Sequence, residues 1–340
     1  MKIGKIDVRI PFVLLTLFCL TAHKTMSAES ALSERFSLYY IPDQSIVTLD
    51  RFLSDNTPPL AKNIIMTPEK PTPNDEVMIS ADIVNDPTNT ENKPLYAYLY
   101  YSTDEGKTWN EIEMEQDAKN PTRWYGAVPP TGKAGEFPFF FSAEDEGGNY
   151  LLELPVTAIK WTDKEPPELF GKITDKNDEE YIVSNDLDIL EAKIGYDGNA
   201  LYFGMKVEGE ISSGTVSPFA LNVYSVGIYY PQQTRKGSVR ADFVLEHSPD
   251  AEFLHFPIVG LLDIDKKLSE VTTADARYYA DDGWLYMRFK QSALKDKKFD
   301  KLRVIFGTAI ATEHTPLTLK PMDRTGFINI VRVDRAFEVK

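Results

Sequence analysis

Five aromatic residues in the second half of the chain, Tyr229, Tyr230, Tyr278, Tyr279 and Trp284, are the side chains best suited to grip a glycan. A flat ring stacks on the apolar face of a sugar while flanking amides and carboxylates bond its hydroxyls. Neighbours in a strand point to opposite faces, so at most one tyrosine of each pair can enter the main core. The other must lie on an outer face or against a loop, where the competing reading is a ring that merely covers a second sheet face or a domain contact. A divalent cation is the second chemistry. Asp175, Asn177 and Glu179 place hard oxygen donors at alternate positions, with Asp178 between them and Asp186 and Asp188 following, which is the donor type Ca2+ takes. The series lacks the glycine and closing glutamate of an EF-hand loop, and its competing reading is a solvated, charge-rich turn. Asp263 and Asp265 form a weaker pair. Haem would need two of Met205, His247, His255 and Met287 to converge, and there is no C-x-x-C-H attachment motif. Met205 and Met287 are more simply core residues of strands, so haem is not expected.

Catalysis has less to work with. No G-x-S-x-G elbow, H-E-x-x-H helix, Walker loop or dinucleotide fingerprint occurs. Past the leader the histidines are His247, His255 and His314, none beside a convincing nucleophile. Glycoside hydrolysis asks only for two acids at the right separation, but the acids here fall mainly in turns. The expectation is a protein that is not an enzyme. Trp109 and Trp124 sit beside turns and read as stabilising core rings rather than ligand contacts.

Lys2, Lys5 and Arg9 followed by an apolar run from Pro11 to Ala22 form the pattern of a secretory signal peptide. The run is about a dozen residues, short for a bilayer span and usual for a signal core. Processing near Ser27-Ala28 leaves no stable transmembrane segment and removes Cys19, the single cysteine. The domains must then stand on hydrophobic cores, for which 340 residues with 42% hydrophobic and 12% aromatic content suffice. Net charge is -15, and loss of the first 28 residues, with four Lys/Arg and one Asp, takes it to about -18. Nucleic acid and anionic membrane surfaces carry the same sign and are poor partners; no nucleic acid is expected.

Residues 29–57 read as a leader strand or linker. From Ile64 the pattern is that of a sandwich: Val77, Ile79, Ala81 and Ile83 alternate with polar residues, and short strands follow at Leu95–Tyr101, Trp124–Val128, Phe137–Ala143 and Tyr150–Val156, separated by turn-formers. The set Pro68-x-x-Pro71-x-Pro73, DEGKTW, WYGAVP and FFFSAEDEGGNY resembles bacterial fibronectin type III-like or immunoglobulin-like domains, over 58–160. That resemblance implies a spacer or docking module. Trp161 to Pro167, with paired prolines, marks a stiff linker. Beyond it, apolar runs at Ile189–Ile194, Leu201–Val207, Phe219–Tyr230, Ala241–Glu246, Phe253–Ile258, Ala276–Tyr279, Trp284–Phe289, Leu302–Ala309 and Gly326–Val331 read as strands. EAKIGYDGNALYFGMKV and DDGWLYMRFKQSAL resemble the DOMON-like sandwiches, including carbohydrate-binding modules of family 9, over 168–340.

The expected fold is therefore all-β, two antiparallel β-sandwiches in tandem after a signal peptide. Its expected place is outside the cytoplasm, periplasmic, secreted or on the cell surface. The expected role is non-catalytic binding of a glycan or polysaccharide through the C-terminal sandwich. The alternative is a structural or protein-interaction component whose partner is an envelope protein. An aromatic patch beside amides or acids favours sugar; a flat apolar face or an open edge strand favours a protein partner.

Overall fold

The computed structural model describes residues 58–84, 94–162, 164–174, 184–212, 220–230, 243–247, 259–263, 272–273, 275–279, 282–294, 299–312 and 318–340. The signal segment, the 29–57 linker and the Asp175–Asn177–Glu179 loop lie outside them. In chain order the strands are β1 (Leu60–Thr67), β2 (Val77–Val84), β3 (Pro94–Tyr101), β4 (Asn110–Glu113), β5 (Glu115–Gln116), β6 (Arg123–Val128), β7 (Gly135–Asp145), β8 (Tyr150–Leu154), β9 (Phe170–Thr174), β10 (Ile189–Tyr196) and β11 (Ala200–Val207). They continue as β12 (Ala220–Tyr229), β13 (Phe243–His247), β14 (Val259–Asp263), β15 (Thr272–Thr273), β16 (Asp275–Tyr279), β17 (Trp284–Lys290), β18 (Lys301–Thr312), β19 (Thr318–Arg324), β20 (Ile328–Arg332) and β21 (Ala336–Val339). The helical content described is two 3-10 turns, at Asn185–Leu187 and Gln291–Ala293.

Among the described residues the architecture is all-β, with three sheets in sandwich-like layers. A long twelve-stranded sheet runs β15-β14-β13-β12-β18-β20-β8-β7-β3-β4, with β19 on β18 and β21 on β7. A four-stranded sheet, β1-β2-β6-β5, packs on one of its faces, and a five-stranded sheet, β16-β17-β11-β10-β9, packs on the other. Strand alternation explains the layering. In β2, Val77, Ile79, Ala81 and Ile83 turn inward against Ala97, Leu99 and Tyr101 of β3 and Phe137, Phe139 and Phe141 of β7. Gly126 in β6 leaves room for Leu99; a Cβ there would come within 2.8 Å of its Cδ2.

β7 and β8 are apolar on both faces. Phe139 and Phe141 enter the proximal core while Phe140 enters the distal one, and Leu151 faces the first while Tyr150, Leu152 and Leu154 face the second. Such continuous runs are what a strand buried on both sides requires. The two sandwiches expected in tandem are thus built on one shared sheet. The chain closes it late: β20 lies parallel to β8, Ile328 opposite Tyr150 and Arg332 opposite Leu154, and β21 then pairs with β7. Residues 336–339, which the sequence placed in the distal unit, are therefore the last strand laid on the proximal one. Among the strand pairs described, β20 with β8 is the parallel one, joining segments far apart in sequence.

The seam is tied by polar groups. Glu153, buried in β8, receives both guanidinium ends of Arg335 at 2.8 and 2.9 Å and the Phe141 N–H at 2.9 Å. The Arg335 guanidinium lies 5.3 and 5.4 Å from the Phe139 and Phe141 ring centres. Asn329 donates to the Pro58 and Pro59 carbonyls, bringing the start of the described chain to the same place.

Candidate functional site

The outer face of the five-stranded sheet carries the sequence-predicted Trp284. In β11 and β17 alternate residues Leu201, Phe203, Met205, Leu285, Met287 and Phe289 enter the distal core. The opposite set, Tyr202, Trp284 and Tyr286, forms a second, aromatic cluster with Leu169, roofed by Ile159 and Trp161 from the segment ahead of β9. Gly195 and Gly204 make that roof fit: a Cβ at Gly195 would meet Ile159 at 2.6 Å, and one at Gly204 would meet Tyr286 at 2.9 Å. Trp284 stacks on Tyr286 with centroids 5.4 Å apart, and the Lys193 ammonium caps it at 4.7 Å. Arg288 sits 4.9 Å over Trp161 and 6.0 Å over Tyr202. Tyr202 donates to Asp197 at 2.5 Å; burial first, then this carboxylate, pushes its phenol up to about 12. Trp284 is only 7% exposed, because its neighbours already cover the ring.

The other predicted residues lie apart from it or beside it. Tyr230 is 9% exposed and sits edge-on to Phe243 in the distal core, while Tyr229 turns the other way, half-buried against Phe327. The backbone of β16 places Tyr278 opposite Leu285 and Tyr279 opposite Trp284. Trp284 and Tyr279 are thus register partners on adjacent strands, whereas Tyr229 ends β12 in a different sheet and Tyr230 follows it. Asp175, Asn177 and Glu179 lie outside the described residues, as do Asp265, His255 and His314. Asp186, from the same acidic series, holds a turn: it accepts the Glu210 N–H at 3.0 Å and the Ser212 hydroxyl at 2.5 Å. Asp188 is buried, and Asp263 ends β14. Among the described residues no group of three His, Cys, Asp or Glu is arranged to hold a metal ion. Met205 and Met287 are fully buried in the distal core, and the His247 ring packs 6.5 Å from Tyr224. Trp124 is buried in the proximal core, and Trp109 packs edge-on to Phe140 and Phe170, half-buried against the distal core.

A second surface escaped the sequence reading. In PLYAYLYY of β3, Ala97, Leu99 and Tyr101 face the proximal core, so Tyr96, Tyr98 and Tyr100 line the opposite face. Tyr100 is stacked on Phe140 at 4.6 Å and donates to Glu111 at 2.6 Å, sealing one end. At the other end Tyr98 pairs across with Glu113 and Tyr96 with Glu144, and the register slips between Pro94 and Tyr96. That irregularity turns Leu95 outward, as bulges do. Leu95 is 38% and Tyr96 47% exposed. The alternating tyrosines were the available signal, but nothing in their spacing says that Tyr100 is buried, Tyr98 half-buried against the distal core and Tyr96 exposed.

Among the described residues no helix is long and apolar enough to cross a membrane. No protein-family model matches the chain, nor does any curated protein. Among solved structures it is similar to a DUF4785 family protein from Legionella pneumophila, at 9% identity over 77% of this chain and 55% of that one, with a TM-score of 0.18. It is also similar to the Yersinia pseudotuberculosis adhesin InvE, at 12% identity over 83% and 60%, with a TM-score of 0.17. Trypsin-activated alpha-2-macroglobulin from Escherichia coli is similar at 11% identity over 82% and 16%, with a TM-score of 0.20. The chain spans about half the length of the Legionella protein. All of these likenesses are weak and of low identity, and they show no membership of one family.

Proposed function

We propose that the chain is an extracytoplasmic, non-catalytic interaction protein, a stiff β scaffold that offers sheet faces and edges to a protein partner in the cell envelope. The observation that carries this reading is the placement of apolar surface. Trp284 and Tyr230, expected to stack on sugar, are folded inside, whereas Ile65 on the edge strand β1 is 54% exposed and Leu95 and Tyr96 stand out from the end of the long sheet. Exposed apolar side chains on an edge and on a flat face are the surface a protein partner covers. The cationic, apolar leader supplies the export. The fibronectin III-like motifs of 58–160 suit a docking module, and the DOMON-like motifs suit the layer that braces it.

The test is site-specific photo-crosslinking from Ile65 and Tyr96 in the full chain, made with its own leader in its own host, with Trp284 as the buried control. A discrete adduct from the exposed sites and none from Trp284 is the expected result. A mature chain that yields no adduct but is retained on a glycan array would return the function to sugar binding. Loss of that retention on chelation would place the metal in the Asp175 loop.

A further inference from the structure

Among the described residues aromatic side chains are repeatedly completed by a cation with a carboxylate nearby. Arg335 lies against Phe139 and Phe141 and is held by Glu153. Arg288 lies over Trp161 and Tyr202, whose hydroxyl binds Asp197. Lys193 lies over Trp284 and pairs with Glu191 at 3.1 Å. Ring quadrupole and carboxylate attract the same cation, so the arrangement is self-consistent chemistry.

At the open end of β3 rings and carboxylates again stand side by side. Tyr96 and Tyr98 share one face, Glu113 is opposite Tyr98, and Glu144 is opposite Tyr96. No Lys or Arg among the described residues lies over either ring or pairs with Glu113. The local potential is negative: after burial, Glu113, Glu111, Tyr96 and Glu144 all raise the Tyr98 phenol above its usual value. Leu95 adds an apolar shoulder. We propose that the Leu95–Tyr96–Tyr98–Glu113 face is a docking surface for a cationic peptide segment of a protein partner, with Arg or Lys side chains laid over the two tyrosines and bonded to Glu113. This rests on the interaction-protein reading above and gives that surface its ligand chemistry. Charge complementarity decides the occupant, since a neutral glycan would stack on the rings and leave the acidic field unanswered.

The experiment is fluorescence anisotropy of a labelled Arg-Gly-Ser repeat peptide on the mature full-length chain, beside the same peptide with citrulline for arginine. Citrulline keeps the shape and most of the hydrogen bonds and removes the charge. Tyr96→Ala and Glu113→Gln should each weaken binding about tenfold. Tyr96→Phe, which keeps the ring, and the double variant Glu208→Gln/Glu210→Gln, which removes charge from exposed residues of the distal module, should stay within about twofold of the parent. Far-UV circular dichroism checks that each variant is folded. Equal binding of the citrulline peptide overturns the proposal, as does an equal loss in the distal variant, which would mean attraction to bulk charge. A neutral oligosaccharide whose binding is lost in Tyr96→Ala assigns the face to sugar and also overturns it. Persistent crosslinks from Ile65 alongside any of these results would leave the broader function standing while removing this surface from it.

Discussion

Asp104 organises the turn between β3 and β4 through its own hydrogen bonds. Its Oδ1 accepts the Thr108 N–H at 2.8 Å, the Lys107 N–H at 3.1 Å and the Ser102 hydroxyl at 2.8 Å, and its Oδ2 accepts the Thr108 hydroxyl at 2.8 Å. These donors, the Thr108 N–H first, favour the ionised form and hold the carboxyl at about 2, below the ordinary 3.8. The folded value is depressed, so this group's contribution to folding is present above the unfolded pKa and is lost as pH falls through about 2. Carboxyl NMR should show Asp104 titrating near 2 in the parent, and nearer the ordinary value in Thr108→Ala, which deletes one donor; a parent midpoint at the ordinary value would refute the turn geometry. Chemistry of this kind was legible, because S-x-D-E-G-K-T names both the acceptor and its donors and Gly106 takes the positive φ of 82° the turn needs. Trp284 shows the opposite case. Its type suggested sugar, but its exposure depends on Lys193, Tyr286 and the roof at Ile159, none of which its own neighbourhood in sequence reveals.

Alternation made most strands visible, and what it left out were short or conditional ones. The run read at Gly326–Val331 is β20, yet periodicity cannot say that its neighbour is β8. β21 has four residues, Ala336–Val339, of which Phe337 and Val339 are buried, too few for a pattern to stand out. Its register is held by the Glu153–Arg335 pair, with Glu153 almost wholly enclosed and Arg335 about a quarter exposed. Removing one partner of such a pair costs more than the pair contributes, since the remaining charge is left buried. Arg335→Ala should lower unfolding free energy by about 3–5 kcal/mol in urea titrations. The double variant Glu153→Leu/Arg335→Met should recover a good part of that loss. A single variant within about 1 kcal/mol of the parent would show that β21 is held by its backbone bonds and Phe337 alone.

At the scale of the molecule the shared sheet decides how the protein unfolds. The proximal strands present Tyr100, Phe140, Tyr150, Leu152 and Leu154 to the distal core. Each such side chain is worth about 1.5–3 kcal/mol when buried, so exposing the five costs about 8–15 kcal/mol. That equals the whole net stability of an ordinary domain, about 5–15 kcal/mol. Two modules joined only by a Pro-Pro linker would behave independently; these two cannot, because β7 and β8 lose half their burial when the distal layer leaves. Calorimetry of the mature chain should therefore give one transition, with calorimetric and van't Hoff enthalpies in agreement. Fragments 58–162 and 164–340, expressed apart, should each fail to give a cooperative melt, and the first should bind a hydrophobic dye. Mixing them from denaturant should restore the transition, because β20 and β21 can then find β8 and β7. Two separate transitions in the intact chain, or a cooperative melt from the distal fragment alone, would mean that the parallel seam contributes little. The Tyr96 face would then ride on a module free to move, rather than on the stiff end of a single sheet.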